Sequence, residues 1–226
     1  MIFQTTKEFA TQLDREDPLR EYRTRFHIPH RDEKVVIYFC GNSLGLMPKT
    51  TKEYLNKELD IWKRDGVLGN HSRWEPYHEH VTEATARLVG ADPTEVVVMN
   101  ALTVNIHLLL VSFYQPTEEK YKIIIEKGAF PSDQYAVESQ VKFHGLDPDS
   151  ALVILEPRTG ERCLRTKDIV TTLKEHGDTV STILIGGVNY FTGQAFDMAK
   201  ITEAGQEYGA KVGFDLAHGV GNLPLG

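Results

Sequence analysis

The stretch that decides the fold is Val180-Ser181-Thr182-Ile183-Leu184-Ile185, followed by a helical segment from Met198 to Tyr208 and by Lys211-Val212-Gly213-Phe214. Both short runs are largely apolar, which is typical of strands that are covered on both faces of a parallel sheet. A helix between two such strands predicts a right-handed crossover unit. The segment therefore predicts an α/β fold.

The same alternation extends toward the N-terminus. Further strand-like runs are Val96–Met99, Lys122–Ile125 and Ala151–Leu155, and further helical stretches are Thr103–Tyr114, Ser132–Phe143 and Lys167–His176. Strands joined in this way by helices predict a three-layer sandwich with a mostly parallel sheet flanked by helices. In such a sheet, ligands bind at the carboxyl ends of the strands.

The first part of the chain is organised differently. Helical spacing covers Thr6–Glu16, Pro18–Arg25, Pro48–Arg64 and Glu75–Val89, and a β-branched and aromatic run predicts a strand over Val35–Phe39. We therefore expect residues 1–47 to form an N-terminal arm with a first strand. Residues 48–226 are expected to form the first part of a large ligand-binding domain.

Composition and charge exclude several classes of partner. The 226 residues carry a formal charge of −7 without a local basic patch, which argues against nucleic acid and anionic membranes. The apolar stretch near Ile106–Phe113 is too short to span a bilayer. Cys40 and Cys163 are too few and too far apart for a disulfide framework, so the sequence predicts a protein of the reducing cytoplasm.

The sequence predicts none of three common kinds of site. His78 and His80 are two residues apart, and no cysteine or carboxylate completes a tetrahedral set, so we predict no metal site. The glycines of Gly219–Pro224 follow the last strand and lack the third glycine of a dinucleotide fingerprint. We also predict no serine-hydrolase nucleophile elbow, although Gly41-Asn42-Ser43-Leu44-Gly45 has the Gly-x-Ser-x-Gly spacing.

Polar and aromatic residues follow two of the predicted strands. A helix begins near Leu102 and Thr103, where free backbone N–H groups and the helix dipole favour a phosphate; alternatively, Thr103 caps the helix. After the next strand, Phe130 is placed to stack on an aromatic ring. Ser132 and Asp133 follow it, and either of them is also a suitable helix cap.

The end of the last predicted strand indicates a ligand site more specifically, through the motif Gly213-Phe214-Asp215-Leu216-Ala217-His218. An aspartate directly after a buried strand must be hydrogen-bonded or paired to offset its desolvation. A protonated ring nitrogen would satisfy it, and His218 could contact the same heterocycle; backbone N–H groups are the alternative partner. The pair therefore predicts a cofactor site.

A phosphate site, a stacking aromatic and an aspartate for a ring nitrogen, in this order, resemble the pyridoxal-phosphate enzymes of the aspartate aminotransferase fold. Within them, the chain resembles the class V group and most closely the kynureninases. The strings that carry this resemblance are Gly41-Asn42-Ser43-Leu44-Gly45, Met99–Asn105, Phe130-Pro131-Ser132-Asp133, Glu156-Pro157-Arg158 with Gly160-Glu161, Tyr190–Gln194, and Gly213–His218 with Gly221-Asn222. They extend across nearly the whole chain, which would correspond to about the first half of a kynureninase.

The resemblance implies that the chain forms the large pyridoxal-phosphate domain of this fold. It also implies hydrolysis of L-kynurenine or 3-hydroxy-L-kynurenine to anthranilate or 3-hydroxyanthranilate plus L-alanine. This reaction belongs to tryptophan catabolism and NAD biosynthesis. It implies a homodimer when the protein is full length. It assigns the cofactor phosphate to Leu102 and Thr103, ring stacking to Phe130, and the ring nitrogen to Asp215. The remaining implied contacts are Pro131, Ser132, Asp133 and His218 to the cofactor, and Ser43 and His71 to the substrate.

The chain departs from the family pattern in two places. Many members have a hydroxyl residue where this chain has Gly186. The Schiff-base lysine is absent from the chain, because no lysine follows Lys211, so we expect a truncated domain that is inactive alone. The alternatives are a cysteine desulfurase or class V aminotransferase of the same fold, and a non-catalytic truncated product that pairs with a full-length subunit.

Overall fold

The computed structural model describes residues 3–225. It contains two compact units, of which the first ends at Pro76 and the second begins at Tyr77. Within residues 3–225, no helix combines the length and the apolar character needed to cross a bilayer. The boundary at residue 47 between an arm and a cofactor-binding domain stays a prediction.

The first unit contains helices and a short hairpin. Helix α1 spans Lys7–Glu16, with Thr6 accepting the Phe9 N–H as its cap, and a 3-10 turn spans Arg20–Arg25. Strands β1 (His30–Arg31) and β2 (Lys34–Val35) form an antiparallel hairpin, and α2 spans Thr51–Asp65. The predicted helices over Thr6–Glu16 and Pro48–Arg64 are therefore confirmed.

The strand predicted over Val35–Phe39 is wrong beyond its first residue. Strand β2 ends at Val35, and Ile37 and Phe39 are 82% and 92% exposed. A β-branched run becomes a strand only where a neighbour pairs with its backbone and covers its side chains. In the part of the chain that the structure describes, β1 is the neighbour of this run, and its pairing with β2 ends at Val35.

The second unit contains the α/β alternation. Its helices are α3 (Glu79–Val89), α4 (Leu102–Phe113), α5 (Pro131–Phe143), α6 (Pro148–Ala151), α7 (Thr166–His176) and α8 (Met198–Glu207). Its strands are β3 (Lys122–Glu126), β4 (Leu152–Leu155), β5 (Val180–Gly186) and β6 (Lys211–Asp215). Helix α3 begins at Glu79 rather than at the predicted Glu75; residues 70–74 form a π-type turn, and residues 75–78 form a further turn before the helix.

The four strands form one parallel sheet in the order β4-β3-β5-β6. Strand β3 alternates between the two faces: Ile124 packs with α7 and α8, whereas Ile123 and Ile125 pack with α4 and α5. Each face of the sheet therefore carries its own apolar core under a layer of helices. The predicted three-layer fold with a parallel sheet is confirmed.

The strand predicted over Val96–Met99 is wrong. The segment has no regular structure, and Val97 and Met99 are 59% and 43% exposed. Its apolar run is as strand-like as that of β3, but a parallel strand also needs a neighbour for its N–H and C=O groups. Among the described residues, no strand lies beside it.

Candidate functional site

The carboxyl ends of three neighbouring strands hold acidic or glycine residues. Strand β3 ends at Glu126, β5 at Gly186 and β6 at Asp215, and Gly186 lies opposite Asp215 in the parallel register. Because the strands are parallel, these ends lie at one edge of the sheet. The predicted site residues Phe130, Ser132 and Asp133 follow the end of β3 at the start of α5.

Asp133 and Asp215 form a buried carboxyl pair. They are 4% and 8% exposed, and their side chains share a hydrogen bond. Burial raises the pKa of Asp133 to about 7, and the neighbouring Asp215 adds to this, while the Ser132 hydroxyl, 3.0 Å from Asp133 Oδ1, acts in the opposite direction. Asp133 is therefore largely protonated below neutral pH.

The sequence predicts either a ring nitrogen or backbone N–H groups as the partner of Asp215, and the structure contains a backbone partner. Asp215 Oδ1 accepts the N–H of Ala217 at 2.8 Å, as expected for an acid that begins a turn. The hydrogen bond with Asp133 is additional, so backbone groups are not its whole environment. The interpretation of Ser132 or Asp133 as a helix cap is wrong, because Phe130 occupies the cap position of α5 and both residues lie inside the first turn.

Phe130 belongs to an aromatic cluster with Tyr190 and His218. The ring centroids of Phe130 and Tyr190 are 5.1 Å apart, and those of Phe130 and His218 are 6.3 Å apart. Phe130 nevertheless keeps 44% of its surface exposed. The cluster holds the ring in place while leaving part of it accessible, which suits a stacking role.

The N-terminus of α4 is free of side-chain caps. Ala101 occupies the cap position, so the interpretation of Thr103 as the cap is wrong, and the Thr103 side chain is exposed. The first N–H groups of the helix therefore remain available to a ligand. A cavity of about 590 Å³ lies between α4 and the edge strand β6, and both Leu102 and Asp215 line it. The helix N-terminus and the buried acid thus border one space.

Two predicted substrate residues lie in the first unit. Ser43 is exposed in a turn where its N–H donates to the carbonyl of Cys40 at 3.0 Å. His71 is also exposed, and its Nδ1 lies 2.9 Å from the Glu75 carboxylate. Their assignment to the substrate stays a prediction.

Sequence reasoning missed Glu126. This residue is 3% exposed, its Oε1 accepts the Gly186 N–H at 3.1 Å, and its Oε2 has no partner among the described residues. Burial raises the pKa of Glu126, while the Gly186 N–H opposes the shift. The sequence carried the same signal as for Asp215, an acid directly after the buried run Ile123-Ile124-Ile125.

Asn189 is a second buried polar residue that the sequence did not reveal. It is 7% exposed, and its amide donates to the Gly128 carbonyl at 3.1 Å. Its Oδ1 accepts the N–H groups of Phe191 and Thr192. Asn189 therefore ties the loop after β5 to the loop after β3, across the edge where the acids lie.

Within residues 3–225, no cluster of three or more histidine, cysteine, aspartate or glutamate side chains is arranged to hold a metal ion. The acids at the sheet edge belong to a different kind of site. The buried carboxyls Asp133 and Asp215 accompany an accessible aromatic ring and an uncapped helix N-terminus. Together these groups could hold a ligand with a phosphate, an aromatic ring and a positive charge.

The chain is similar to curated kynureninases over nearly its whole length. It is 56% identical to the kynureninase of Myxococcus xanthus over 99% of the chain, and 52% identical to that of Christiangramia forsetii over all of it. The kynureninase of Nematostella vectensis is 47% identical over 97% of the chain. The chain spans about half the length of these relatives. The resemblance inferred from the six strings is thereby confirmed.

Comparison with solved structures supports the fold. One similar structure is the cystine C–S lyase C-DES, solved with glycine covalently linked to its pyridoxal-phosphate cofactor. The superposition has a TM-score of 0.67 at 15% identity, and it covers 81% of this chain and 47% of that one. A cysteine desulfurase from Escherichia coli has a TM-score of 0.66 at 18% identity, over 90% of this chain and 50% of that one. No family model matches the chain. At these identities the likeness establishes the fold class alone.

Proposed function

We propose that this chain is the first half of a kynureninase, which binds pyridoxal 5'-phosphate and contributes to the hydrolytic cleavage of L-kynurenine or 3-hydroxy-L-kynurenine to L-alanine and the corresponding anthranilate. The observation that carries the proposal is the buried carboxyl pair Asp133 and Asp215. The similarity to kynureninases over 97–100% of the chain supports the substrate class.

The carboxyl pair fits a cationic ring nitrogen on physical grounds. The charged groups that act on Asp133 are themselves acids, Asp215 and Glu126. A buried carboxylate needs a hydrogen-bonded or cationic partner to offset its loss of hydration. A pyridinium N–H placed at Asp215 would supply both, and its positive charge would favour release of the proton from Asp133.

The other groups of the site fit the rest of the cofactor. The uncapped N–H groups at Leu102 and Thr103, with the Thr103 hydroxyl, would bind the phosphate. The exposed part of Phe130 would cover one face of the ring. Contacts of the surrounding wall are assigned to Pro131, Ser132, Asp133 and His218.

The chemistry that pyridoxal phosphate supplies when bound is an electron sink for the bonds around the substrate α-carbon. The chain's own contribution is to keep the ring nitrogen protonated: the Asp215 carboxylate favours the charged form of that nitrogen. Asp133 orients Asp215 through their hydrogen bond. Ser43 and His71 are assigned to the substrate, and the lysine that binds the cofactor covalently is assigned to the part of the family that this chain does not span.

A cofactor analogue without the aldehyde tests the site in the chain itself, because its binding needs no lysine. We expect 4-deoxypyridoxine 5'-phosphate to bind in calorimetry, and Asp215→Asn to weaken its affinity by about tenfold or more, since a charged hydrogen bond is lost. The exposed acid Asp149 provides the control, and Asp149→Asn should bind like the parent chain. Equal affinities for all three proteins would refute the assignment of Asp215.

The reaction is tested in a chimera that joins residues 1–226 to the remaining part of the Myxococcus xanthus kynureninase. We expect the chimera to release L-alanine from L-kynurenine, and the chain alone to release none. Release of alanine from cysteine, with none from kynurenine, would favour the cysteine desulfurase alternative, which is supported here by fold alone. An inactive but folded chimera would favour the non-catalytic alternative.

We propose in addition that the complete enzyme is a cytoplasmic homodimer. The cytoplasmic assignment is supported by Cys40 and Cys163, which are both exposed and unpaired, as is usual in a reducing compartment. The homodimer is implied by the resemblance to the family. Sedimentation of the chimera described above would measure its oligomeric state.

A further inference from the structure

Glu126 lies at the centre of the contacts between the segments after β3 and β5. Its Oε1 accepts the Gly186 N–H at 3.1 Å, where β5 ends. A side chain at position 186 would place its Cβ 3.2 Å from that same oxygen, so the glycine leaves room for the carboxyl. The backbone carbonyl of Glu126 accepts the Ala129 N–H at 3.2 Å, which turns the chain toward Phe130.

The same segments are joined a second time by Asn189. Its amide donates to the Gly128 carbonyl, two residues after Glu126 and two residues before Phe130. The Asn189 amide and the Glu126 backbone carbonyl thus hold the short loop that leads into α5, while the Glu126 side chain is bonded to the end of β5. Because Phe130 and Asp133 lie at the start of that helix, these bonds help to place both of them.

Glu126 also acts on the carboxyl pair through its charge. It is among the groups that raise the pKa of Asp133, and Asp215 in turn raises the pKa of Glu126. Its Oε2 is buried without a partner among the described residues. Glu126 and Asp215 therefore both act on the Asp133 carboxyl at one edge of the sheet.

We propose that Glu126 is a positioning residue of the cofactor site: its carboxyl joins the end of β3 to the end of β5 beside Asp215, and its charge acts on the Asp133–Asp215 pair. This inference rests on the proposed function in assigning that pair to a cofactor. The carboxyl coupling itself is a property of the chain without ligand.

Other charged groups near Glu126 lie on the elements packed around it. Lys127 and Glu156, after β3 and β4, form an exposed ion pair at 2.9 Å. Glu126 lines a cavity of about 750 Å³ together with that ion pair, Glu161, Arg162 and Tyr190. It also lines a second cavity with Glu138 of α5, whose carboxylate forms an ion pair with Lys142. The buried neighbours Asp133 and Asp215 are the acids among these groups that couple to Glu126.

The test is a carbon-13 NMR titration of the Asp133 carboxyl in the chain without ligand. Glu126→Gln keeps an oxygen for the Gly186 N–H but removes the charge, so we expect the Asp133 midpoint to fall by about one pH unit. The control Glu156→Gln changes an exposed acid at the end of the neighbouring strand and should leave the midpoint unchanged. An unchanged midpoint in a folded Glu126→Gln chain would overturn the proposal, because a merely structural role predicts that result.

A second measurement covers the case in which Glu126→Gln does not fold. In the unmodified chain, the Asp133 curve should show a second inflection at the midpoint of the Glu126 carboxyl carbon, since coupled acids report each other's titration. Independent curves would contradict the proposal. Neither result depends on cofactor binding, so failure of 4-deoxypyridoxine 5'-phosphate to bind would count against the proposed function and leave these titrations interpretable.

Discussion

Asp133, in the first turn of α5, and Asp215, at the end of β6, share a hydrogen bond between two buried carboxyl groups. The residues are more than eighty positions apart in the sequence, and they come together because α5 starts and β6 ends at the same edge of the parallel sheet. Burial and the neighbouring Asp215 raise the pKa of Asp133 to about 7, so the Asp133 carboxyl stays protonated over the acidic range in the chain without ligand. This property makes the pair measurable without any cofactor.

The pair predicts a pH dependence of folding. The pKa of Asp133 is raised to about 7 in the folded chain, above its usual value of 3.8, so folding favours the protonated form. The stabilisation is complete below pH 3.8 and is lost as the pH rises toward 7. Asp133→Asn mimics the neutral form, and we expect it to be more stable than the parent by about 1–3 kcal/mol above pH 7.

Urea unfolding of both proteins between pH 4 and pH 8 measures this difference. The two stabilities should converge toward pH 4 and separate as the pH rises. Asp149→Asn, which alters an exposed acid, should follow the parent at every pH. A constant offset between Asp133→Asn and the parent would mean that the Asp133 carboxyl does not change its protonation on folding.

The exposed surface of Phe130 predicts a loss of ligand affinity without a large loss of stability. Phe130→Leu removes the aromatic face, and stacking of this kind contributes about 0.5–1.5 kcal/mol, so 4-deoxypyridoxine 5'-phosphate should bind about threefold to tenfold more weakly in calorimetry. Phe143→Leu, at the other end of α5 and 80% exposed, is the matched control. Equal effects of the two substitutions would show that Phe130 does not contact the ring.

The uncapped start of α4 predicts a phosphate contact at Thr103. Thr103→Val keeps the shape of the side chain but removes the hydroxyl, so the affinity for 4-deoxypyridoxine 5'-phosphate should fall about tenfold while that for 4-deoxypyridoxine stays unchanged. Thr171→Val, whose hydroxyl donates to a carbonyl within α7, is the control. A parallel loss for both ligands would place the hydroxyl elsewhere than at the phosphate.

The sheet was predictable because its strands are short, largely apolar runs that can be recognised in the sequence. Lys211–Phe214 was expected, and β6 spans Lys211–Asp215; the helix between β5 and β6 was expected to begin at Met198 and does. Val96–Met99 has the same apolar character and forms no strand. The difference lies in strand pairing. Pairing requires a neighbouring strand from elsewhere in the chain, and the residues of the run itself do not show whether that neighbour exists.

The site was predictable only in part, for a similar reason. Asp215 and Phe130 could be identified because each follows a strand, and that position alone indicates the ligand edge of the sheet. Asp133 could be placed at the start of a helix, but its contact with Asp215 requires the tertiary fold. Glu126 ends a strand like Asp215 and carries the same sequence signal, and its burial and its bond to Gly186 confirm that it belongs to this edge of the sheet.

Close packing of α8 on the sheet predicts a loss of stability at Gly205. A Cβ at this position would lie 2.7 Å from both Ile183 Cδ1 and Val212 Cγ2, which belong to β5 and β6. Alanine in place of a helical glycine normally stabilises a protein by about 1 kcal/mol. Here the overlap with a stiff, β-branched valine and a buried isoleucine should cost more, about 2–3 kcal/mol, because neither side chain can retreat without disturbing the core.

Gly205→Ala should therefore lower the free energy of unfolding in urea by about 1–2 kcal/mol, the difference between the two effects. Gln206→Ala, one residue further along the same helix at an exposed position, should change it by less than about 0.5 kcal/mol. The sign of the change in unfolding free energy for Gly205→Ala shows whether helix propensity or steric overlap is the larger effect. A gain in stability would show that helix propensity dominates and that α8 does not press on β5 and β6 as closely as these distances indicate.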